Sequence, residues 1–145
     1  MFAKIFGKKG REARAAIAVV QNRDLMQAIV YGAFYVAAAD GELEEAEMKK
    51  MEKLISNTPQ LKGFGAELSN TMDRAEKDFT DGGHRILRQN AEKELKDLSH
   101  SPDEAATVLN IMLTIAEADG EIEEAETVVL EKAAKLLGLN LKDYL

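Results

Sequence analysis

Two nine-residue stretches decide how this chain folds: ADGELEEAE at residues 39–47 and ADGEIEEAE at residues 118–126. They lie 79 positions apart and differ only where Leu43 of the first is replaced by Ile122 in the second. Each follows an apolar run and precedes a run whose apolar residues recur at helical spacing. Such a repeat in a chain of 145 residues is either a duplicated structural joint or a duplicated binding site.

The repeat continues into the flanking apolar segments. At the same offset the apolar residues correspond, which indicates that the repeated unit is a helix, an acidic turn and a second helix. Two such units would pack most simply about a pseudo-two-fold axis, so we expect both acidic turns at one edge of the molecule. The corresponding pairs are Ile29 and Val108, Val30 and Leu109, Phe34 and Leu113, Val36 and Ile115, Ala37 and Ala116, and Met51 and Leu130.

Composition and periodicity predict a single compact all-α domain. Hydrophobic residues make up 46% of the chain, prolines number 2, and no segment alternates apolar and polar residues as a strand would. Pro59 and the sequence TDGG at residues 80–83 interrupt the helical pattern. We expect about seven helices, which cover approximately residues 10–21, 23–39, 48–56, 64–79, 84–98, 102–118 and 127–138.

Charge divides the chain into a basic N-terminal helical segment, residues 1–22, and a helical domain, residues 23–145. Residues 1–23 carry six basic groups and one acidic group, a net charge of +5, so the rest of the −7 chain carries −12. An acidic body repels nucleic acid, which is therefore not an expected partner. The basic segment is predicted to pack as an amphipathic helix; the alternative is a weak contact of residues 1–23 with a membrane surface.

Several kinds of chemistry are excluded or have no support. The absence of cysteine excludes disulfides, thiolate zinc sites and a cysteine nucleophile. His84 and His100 flank one predicted helix and are interpreted as exposed or capping residues rather than ligands. No arrangement of serine, histidine and aspartate indicates a catalytic site, so we expect no enzymatic activity.

The longest apolar run, residues 25–39, is shorter than the roughly 20 residues that span a membrane. The sequence also shows no secretory signal, so we expect a cytoplasmic protein.

Each acidic stretch has the spacing of the second half of an EF-hand calcium loop. That half contains an aspartate, a glycine that allows a sharp turn, an aliphatic residue that pins the loop to the core, and a glutamate four positions further on. The glutamate lies on the first turn of the next helix and reaches back over the ion. The candidate ligands are Asp40, Glu42 and Glu47 in the first copy and Asp119, Glu121 and Glu126 in the second.

The first half of the loop is missing from both copies. The first two carboxylate positions of an EF-hand fall on Val36 and Ala38 in the first copy and on Ile115 and Glu117 in the second. Neither copy is therefore a complete EF-hand, but the two half-loops, or one half-loop with water, could still coordinate a hard divalent cation. Calcium is the first candidate, with magnesium and zinc as alternatives.

Two other interpretations of the acidic stretches stay open. Acidic residues are favoured at helix N-termini by the helix dipole, so the stretches could be structural turns, and they could also be a docking surface for a basic partner. Asp40 and Asp119 differ from the other acidic residues because each follows the C-terminal end of an apolar helix. A carboxylate there meets the negative end of the dipole and calls for a compensating donor or cation.

The chain resembles the tellurite-resistance TerB family over nearly its whole length. The resemblance begins in FGKKGREA, continues through NRDLMQAIVYGAFYVAAADGELEEAE and ends with LTIAEADGEIEEAETVVLEKAAKLLGL. Its most specific element is the pair of Asp-Gly turns, each of which follows an apolar helix and precedes an acidic one.

The resemblance implies an all-helical cytoplasmic protein with acidic divalent-cation sites and a role in resistance to tellurite and other stresses. It also implies a scaffolding role at the inner face of the membrane, together with a TerC-type integral membrane protein and calcium-binding TerD-type partners. We therefore predict a cation-binding adaptor; the alternatives are a metal-independent docking module and a chaperone-associated regulator. By position, the expected acidic cluster comprises Asp40, Glu47, Asp119 and Glu126, with Glu42 and Glu121 as further candidates.

Overall fold

A computed structural model describes residues 23–118 and 120–145, and every regular element within these ranges is helical. Helix α1 occupies residues 23–37. None of the helices in these ranges has the length and apolar character needed to cross a membrane. The other elements are α2 at Glu45–Ser56, α3 at Ala66–Lys96, α4 at Pro102–Glu117, α5 at Glu124–Leu136, and short 3-10 helices at Pro59–Leu61 and Leu141–Tyr144.

The all-α prediction is confirmed, but the count of seven helices is not. The predicted helix over residues 10–21, like the proposed domain boundary after residue 22, lies outside the described residues. The predicted helices over residues 64–79 and 84–98 are the two parts of α3, which adjoin at Gly83, where the backbone is not helical. The acidic stretches also contribute to helices, because α2 begins at Glu45 and α5 at Glu124.

The interruption at Gly83 bends α3 sharply. Gly83 has φ 74° and ψ −173°, a conformation that essentially only glycine adopts without strain. Asn90 Nδ2 donates a hydrogen bond of 2.8 Å to Asp78 Oδ2 across the interruption. Twelve residues of a straight helix span about 18 Å, so the two parts of α3 must turn toward each other. The break predicted at the TDGG sequence is therefore confirmed at Gly83.

Helix α1 lies at the centre of the core. Ile29, Val30, Phe34 and Val36 are fully buried, so this helix is enclosed on all sides rather than along one stripe. Burying each of these side chains contributes about 1.5–3 kcal/mol to stability. Gly32 allows the neighbouring helices to approach α1 closely: a Cβ placed there would lie 3.0 Å from Met112 Sδ of α4 and 3.5 Å from Leu95 Cδ2 of α3. The prediction that residues 25–39 form a buried core helix is confirmed except at its end, because α1 ends at residue 37 and residues 38–40 form a turn.

Two polar clusters connect α1 to the surrounding helices. In the Tyr31 cluster, the Tyr31 hydroxyl donates to Asp78 Oδ2 at 2.8 Å, Asn90 donates to the same oxygen, and Arg74 Nε donates to the Tyr31 hydroxyl at 3.3 Å. The Arg74 guanidinium also lies 5.9 Å from the centroid of the Tyr31 ring. Burial and the hydrogen bond with Asp78 raise the pKa of Tyr31 to about 12.

The Tyr35 cluster lies one helical turn further along α1. The Tyr35 hydroxyl donates to Glu92 Oε1 at 3.2 Å, and Lys132 Nζ of α5 lies 2.8 Å from the same oxygen. Arg88 Nε is 3.9 Å from that oxygen. Burial and the adjacent Glu92 carboxylate raise the pKa of Tyr35 above its usual value. The two clusters fix the rotation of α1 and therefore the direction in which its C-terminal end meets the acidic turn.

The two repeated turns have similar backbone conformations. Gly41 and Gly120 both have positive φ, 86° and 113°, which a glycine accommodates freely. Glu44 and Glu123 precede α2 and α5 in extended conformations, with φ −72° in both and ψ 150° and 159°. The local helix–turn–helix pattern is therefore repeated, whereas the predicted pseudo-two-fold axis between the units stays a prediction.

Candidate acidic site

The two acidic turns line a common cavity. This acidic cavity has a volume of about 80 Å³, and Val36, Ala37 and Ala39 form its apolar wall. Both turns contribute carboxylates to it, which agrees with the expectation that the turns meet at one edge of the molecule. The acidic side chains that line it are Asp40 and Glu47 from the first unit and Glu121, Glu123 and Glu126 from the second.

The first turn is shaped by hydrogen bonds close to the end of α1. The backbone N–H of Gly41 donates to the Ala38 carbonyl at 2.9 Å, and the backbone N–H of Glu42 donates to Asp40 Oδ1 at 3.0 Å. This second bond forms an Asx-type turn and partly compensates the carboxylate for its position at the negative end of the helix dipole. The turn then enters α2, whose first turn carries Glu47.

The second turn is shaped by hydrogen bonds at the end of α4 and at the start of α5. The backbone N–H of Gly120 donates to the Glu117 carbonyl at 2.9 Å, as at the equivalent position of the first turn. The backbone N–H of Glu123 then donates to Glu126 Oε1 at 2.9 Å, which is the return bond of a capping box at the start of α5. Glu126 thus stabilises a helix terminus while it lines the cavity.

A second, apolar cavity adjoins the first. It has a volume of about 60 Å³ and shares Ala37, Glu47 and Glu126 with the acidic cavity. Leu43 and Ile122 are half-buried and pack against the core, as expected for the aliphatic residues that anchor the turns. The remaining lining residues of this apolar cavity are Lys50, Met51, Leu54, Ile115 and Ala118.

Four of the six predicted ligands line the acidic cavity. Asp40, Glu47, Glu121 and Glu126 line it, whereas Glu42 is exposed and is not among its lining residues. Asp119 lies outside the described residues. The sequence prediction did not include Glu123 among the ligands and interpreted it as a residue favoured by the helix dipole or as a helix cap. Its position directly before α5, three residues before Glu126, is the signal that could have included it.

The oxygen donors of the acidic cavity suit a hard cation, but those of the described residues are too far apart to coordinate one as they stand. Within residues 23–118 and 120–145, no group of three or more histidine, aspartate or glutamate side chains is close enough together to hold a metal ion. Cation binding would therefore have to draw the carboxylates of the two turns toward each other. Carboxylate oxygens are the ligands that Ca²⁺ and Mg²⁺ prefer, and Ca²⁺ tolerates an irregular coordination shell.

The two histidines do not contribute to the acidic cavity. His100 is exposed, as predicted, and His84 is half-buried. His84 Nε2 is itself buried and, among the described residues, has no hydrogen-bond partner. Neither imidazole is among the residues that line the acidic cavity.

The fold and the acidic cavity define a class of protein: an all-helical domain in which two helix–turn–helix units present acidic turns to a shared cavity. The family model described as "Tellurite resistance protein TerB" matches residues 26–145, and the chain belongs to this family. The match includes both acidic turns and confirms the resemblance inferred from the sequence. Membership supports a role associated with tellurite resistance. Comparison with the curated proteins and with the solved structures gave no match.

Proposed function

We propose that this protein is a non-enzymatic adaptor that binds a divalent cation between its two acidic turns and thereby orders a surface for protein partners. The observation that carries the proposal is the acidic cavity, around which five carboxylates from two separate turns are gathered. Like charges gathered in this way repel one another, and a cation among them would relieve that repulsion. The ion would then connect α1 and α2 with α5.

Calcium is the ion that we propose first. A volume of about 80 Å³ accommodates an ion together with water ligands, since one water occupies about 30 Å³ in the liquid. Calcium accepts six to eight oxygen ligands in flexible geometry and uses water to complete its shell. Magnesium is the second candidate. Zinc is third because it prefers nitrogen and sulfur ligands, which this cavity does not offer among the described residues.

The partners that we propose follow from the family rather than from the cavity. A TerB protein is expected to associate with a TerC-type membrane protein and with TerD-type proteins at the cytoplasmic face of the membrane. A cation that draws the two turns together would change the relative positions of α2 and α5. This movement is the physical means by which cation binding would alter an interaction surface.

Calorimetric titration of chelator-treated protein with Ca²⁺, and then with Mg²⁺ and Zn²⁺, tests the proposal. We expect saturable binding that is lost in the double variant Asp40→Asn with Asp119→Asn. The matched control is Glu45→Gln with Glu124→Gln, because these residues occupy equivalent positions in the two repeats, carry the same total charge and do not line the acidic cavity. Binding that persists in the aspartate variant, or is lost equally in the control, would contradict the proposal.

A metal-independent docking module is the second candidate function. Two observations favour it: Asp40 and Glu126 each already accept a backbone hydrogen bond within their own turns. Acidic turns stabilised in this way need no cation to keep their shape and could contact a basic partner directly. Partner binding that is unchanged by chelator but weakened by the aspartate double variant would support this candidate over the adaptor that requires a cation.

A further inference from the structure

A groove runs between α2 and α4, beside the apolar cavity, with which it shares Lys50 and Leu54. It has a volume of about 720 Å³, and the segment that contains the 3-10 helix Pro59–Leu61 contributes to its lining. Its lining residues recur at helical spacing on both helices, so two helix faces form its walls over about 10 Å. We call it the lysine groove; it is lined by Lys50, Lys53, Leu54, Asn57, Thr58, Pro59, Gln60, Thr107, Asn110, Ile111 and Thr114.

The floor of the lysine groove offers apolar surface, although most of the residues that line the groove are polar. Leu54 and Ile111 are half-buried, one on each helix, and supply apolar surface. The hydroxyls of Thr58, Thr107 and Thr114 all donate to the backbone carbonyl four residues earlier in the chain, at 3.0, 3.1 and 2.8 Å. Because these donors are satisfied within the protein, the threonines do not require polar groups from an occupant.

The rim of the lysine groove has the opposite charge to the rest of the domain. Residues 24–145 carry 25 acidic and 13 basic groups, yet the groove is lined by two lysines and by no aspartate or glutamate among the described residues. Lys50 and Lys53 are exposed at one wall. The amides of Asn57, Gln60 and Asn110 add hydrogen-bond donors. An occupant that is acidic at its edges would be attracted here and repelled by most of the remaining surface.

We propose that the lysine groove binds an acidic amphipathic helix of a partner protein. Apolar side chains at positions i, i+3, i+4 and i+7 of that helix would contact Leu54 and Ile111, and its flanking carboxylates would face Lys50 and Lys53. An apolar surface between two helix faces, flanked by polar side chains, is the general form of a helix-in-groove site. This inference identifies a partner class for the proposed adaptor and rests on that role, but it does not depend on cation binding.

A titration followed by nuclear magnetic resonance tests the proposal. The ¹⁵N-labelled full-length chain, with chelator present, is titrated with a synthetic helical peptide that carries leucines at i, i+3, i+4 and i+7 and glutamates on both flanks. We expect saturable shifts concentrated in residues 50–60 and 107–114. A peptide with lysines in place of the glutamates should bind at least about fivefold more weakly, since several rim charges are reversed.

Variants of the groove separate its charge from its apolar floor. Lys53→Glu should weaken binding by about two- to fivefold, as expected for an exposed ion pair, and Ile111→Ala by about fivefold through lost apolar contact. Lys135→Glu is the control, because it makes the same charge change in the last turn of α5, outside the groove. Thermal unfolding of each variant establishes that it is folded.

Each other outcome would overturn the proposal. These outcomes are the absence of saturable binding at millimolar peptide, equal binding of the lysine peptide, equal effects of Lys53→Glu and Lys135→Glu, and shifts centred on the acidic cavity. Sedimentation of the protein alone provides a further check: self-association that Lys53→Glu abolishes would make a second copy the occupant. Because chelator is present throughout, failure here leaves the calorimetric test of cation binding unaffected.

Discussion

The carboxylates of the tyrosine clusters and those of the acidic cavity both lie beside α1, but the groups that surround them differ. Asp78 and Glu92 each receive a tyrosine hydroxyl, and arginine, asparagine or lysine groups complete their surroundings. The acidic cavity, in contrast, is lined by five carboxylates and, among the described residues, by no lysine or arginine. The two settings also differ in exposure, because Asp78 and Glu92 are half-buried whereas Asp40, Glu121 and Glu123 are exposed. The difference teaches that the carboxylates enclosed beside α1 are matched by specific donors, while those of the acidic cavity collect negative charge where solvent and ions can reach it.

The largest change in stability is expected when a residue of the Tyr31 cluster is replaced. Replacing Asp78 with alanine removes the acceptor shared by Tyr31 and Asn90 and leaves two partly buried donors unpaired. We expect the free energy of unfolding to fall by about 2 kcal/mol. Chemical denaturation measures this change, and Asp73→Ala, an exposed aspartate on the same helix, should change it by less than about 0.5 kcal/mol. Equal effects would mean that the cluster does not hold the helices together.

Alkaline pH should weaken the same cluster selectively. The pKa of Tyr31 is about 12 in the folded protein and about 10 in an unfolded chain. The folded state therefore holds this proton more tightly, so its stabilising contribution is complete below pH 10 and is lost as the pH rises from about 10 to about 12. The free energy of unfolding, measured by chemical denaturation at each pH, should fall more steeply with pH in the native protein than in Tyr31→Phe. Tyr35, whose pKa is also raised, keeps part of the slope in that variant.

Removing a charge from the acidic cavity should raise the free energy of unfolding, by less than the loss expected at the Tyr31 cluster. Neutralising Glu121 by substitution with glutamine removes one of its repelling charges. With chelator present, we expect the free energy of unfolding to rise by a few tenths of a kcal/mol, since the site is partly open to solvent. Thermal unfolding measures the change. The variant should also lose part of any stabilisation that the native protein gains from calcium, and a fall in stability under chelator would contradict this view of the cavity.

The elements that sequence could predict are those governed by local rules. The apolar run at residues 25–39 predicted the buried α1, and the glycines of TDGG predicted the break at Gly83 because few other residues adopt that conformation. The repeated acidic stretches predicted that carboxylates of both turns would lie at one edge, and Asp40, Glu47, Glu121 and Glu126 do line one cavity.

Other features depend on side chains that meet from distant parts of the chain. Tyr31 and Asp78 are 47 residues apart, and Tyr35 and Glu92 are 57 apart, so no local pattern indicates their pairing. The role of Glu126 in the capping box was also missed, because its spacing matches a calcium ligand and a cap equally well. The lysine groove depends on where α2 lies relative to α4, which the helical periodicity of either helix cannot specify.

Helix α2 forms part of the wall of all three cavities, and this has a thermodynamic consequence. Glu47 lines the acidic and apolar cavities, while Lys50 and Leu54 line the apolar cavity and the lysine groove. A shift of α2 as a rigid helix would change the shape of all of them together. Linkage is reciprocal, so an ion that raises the affinity of the groove for its occupant by some factor must itself be bound more tightly, by the same factor, when the groove is filled.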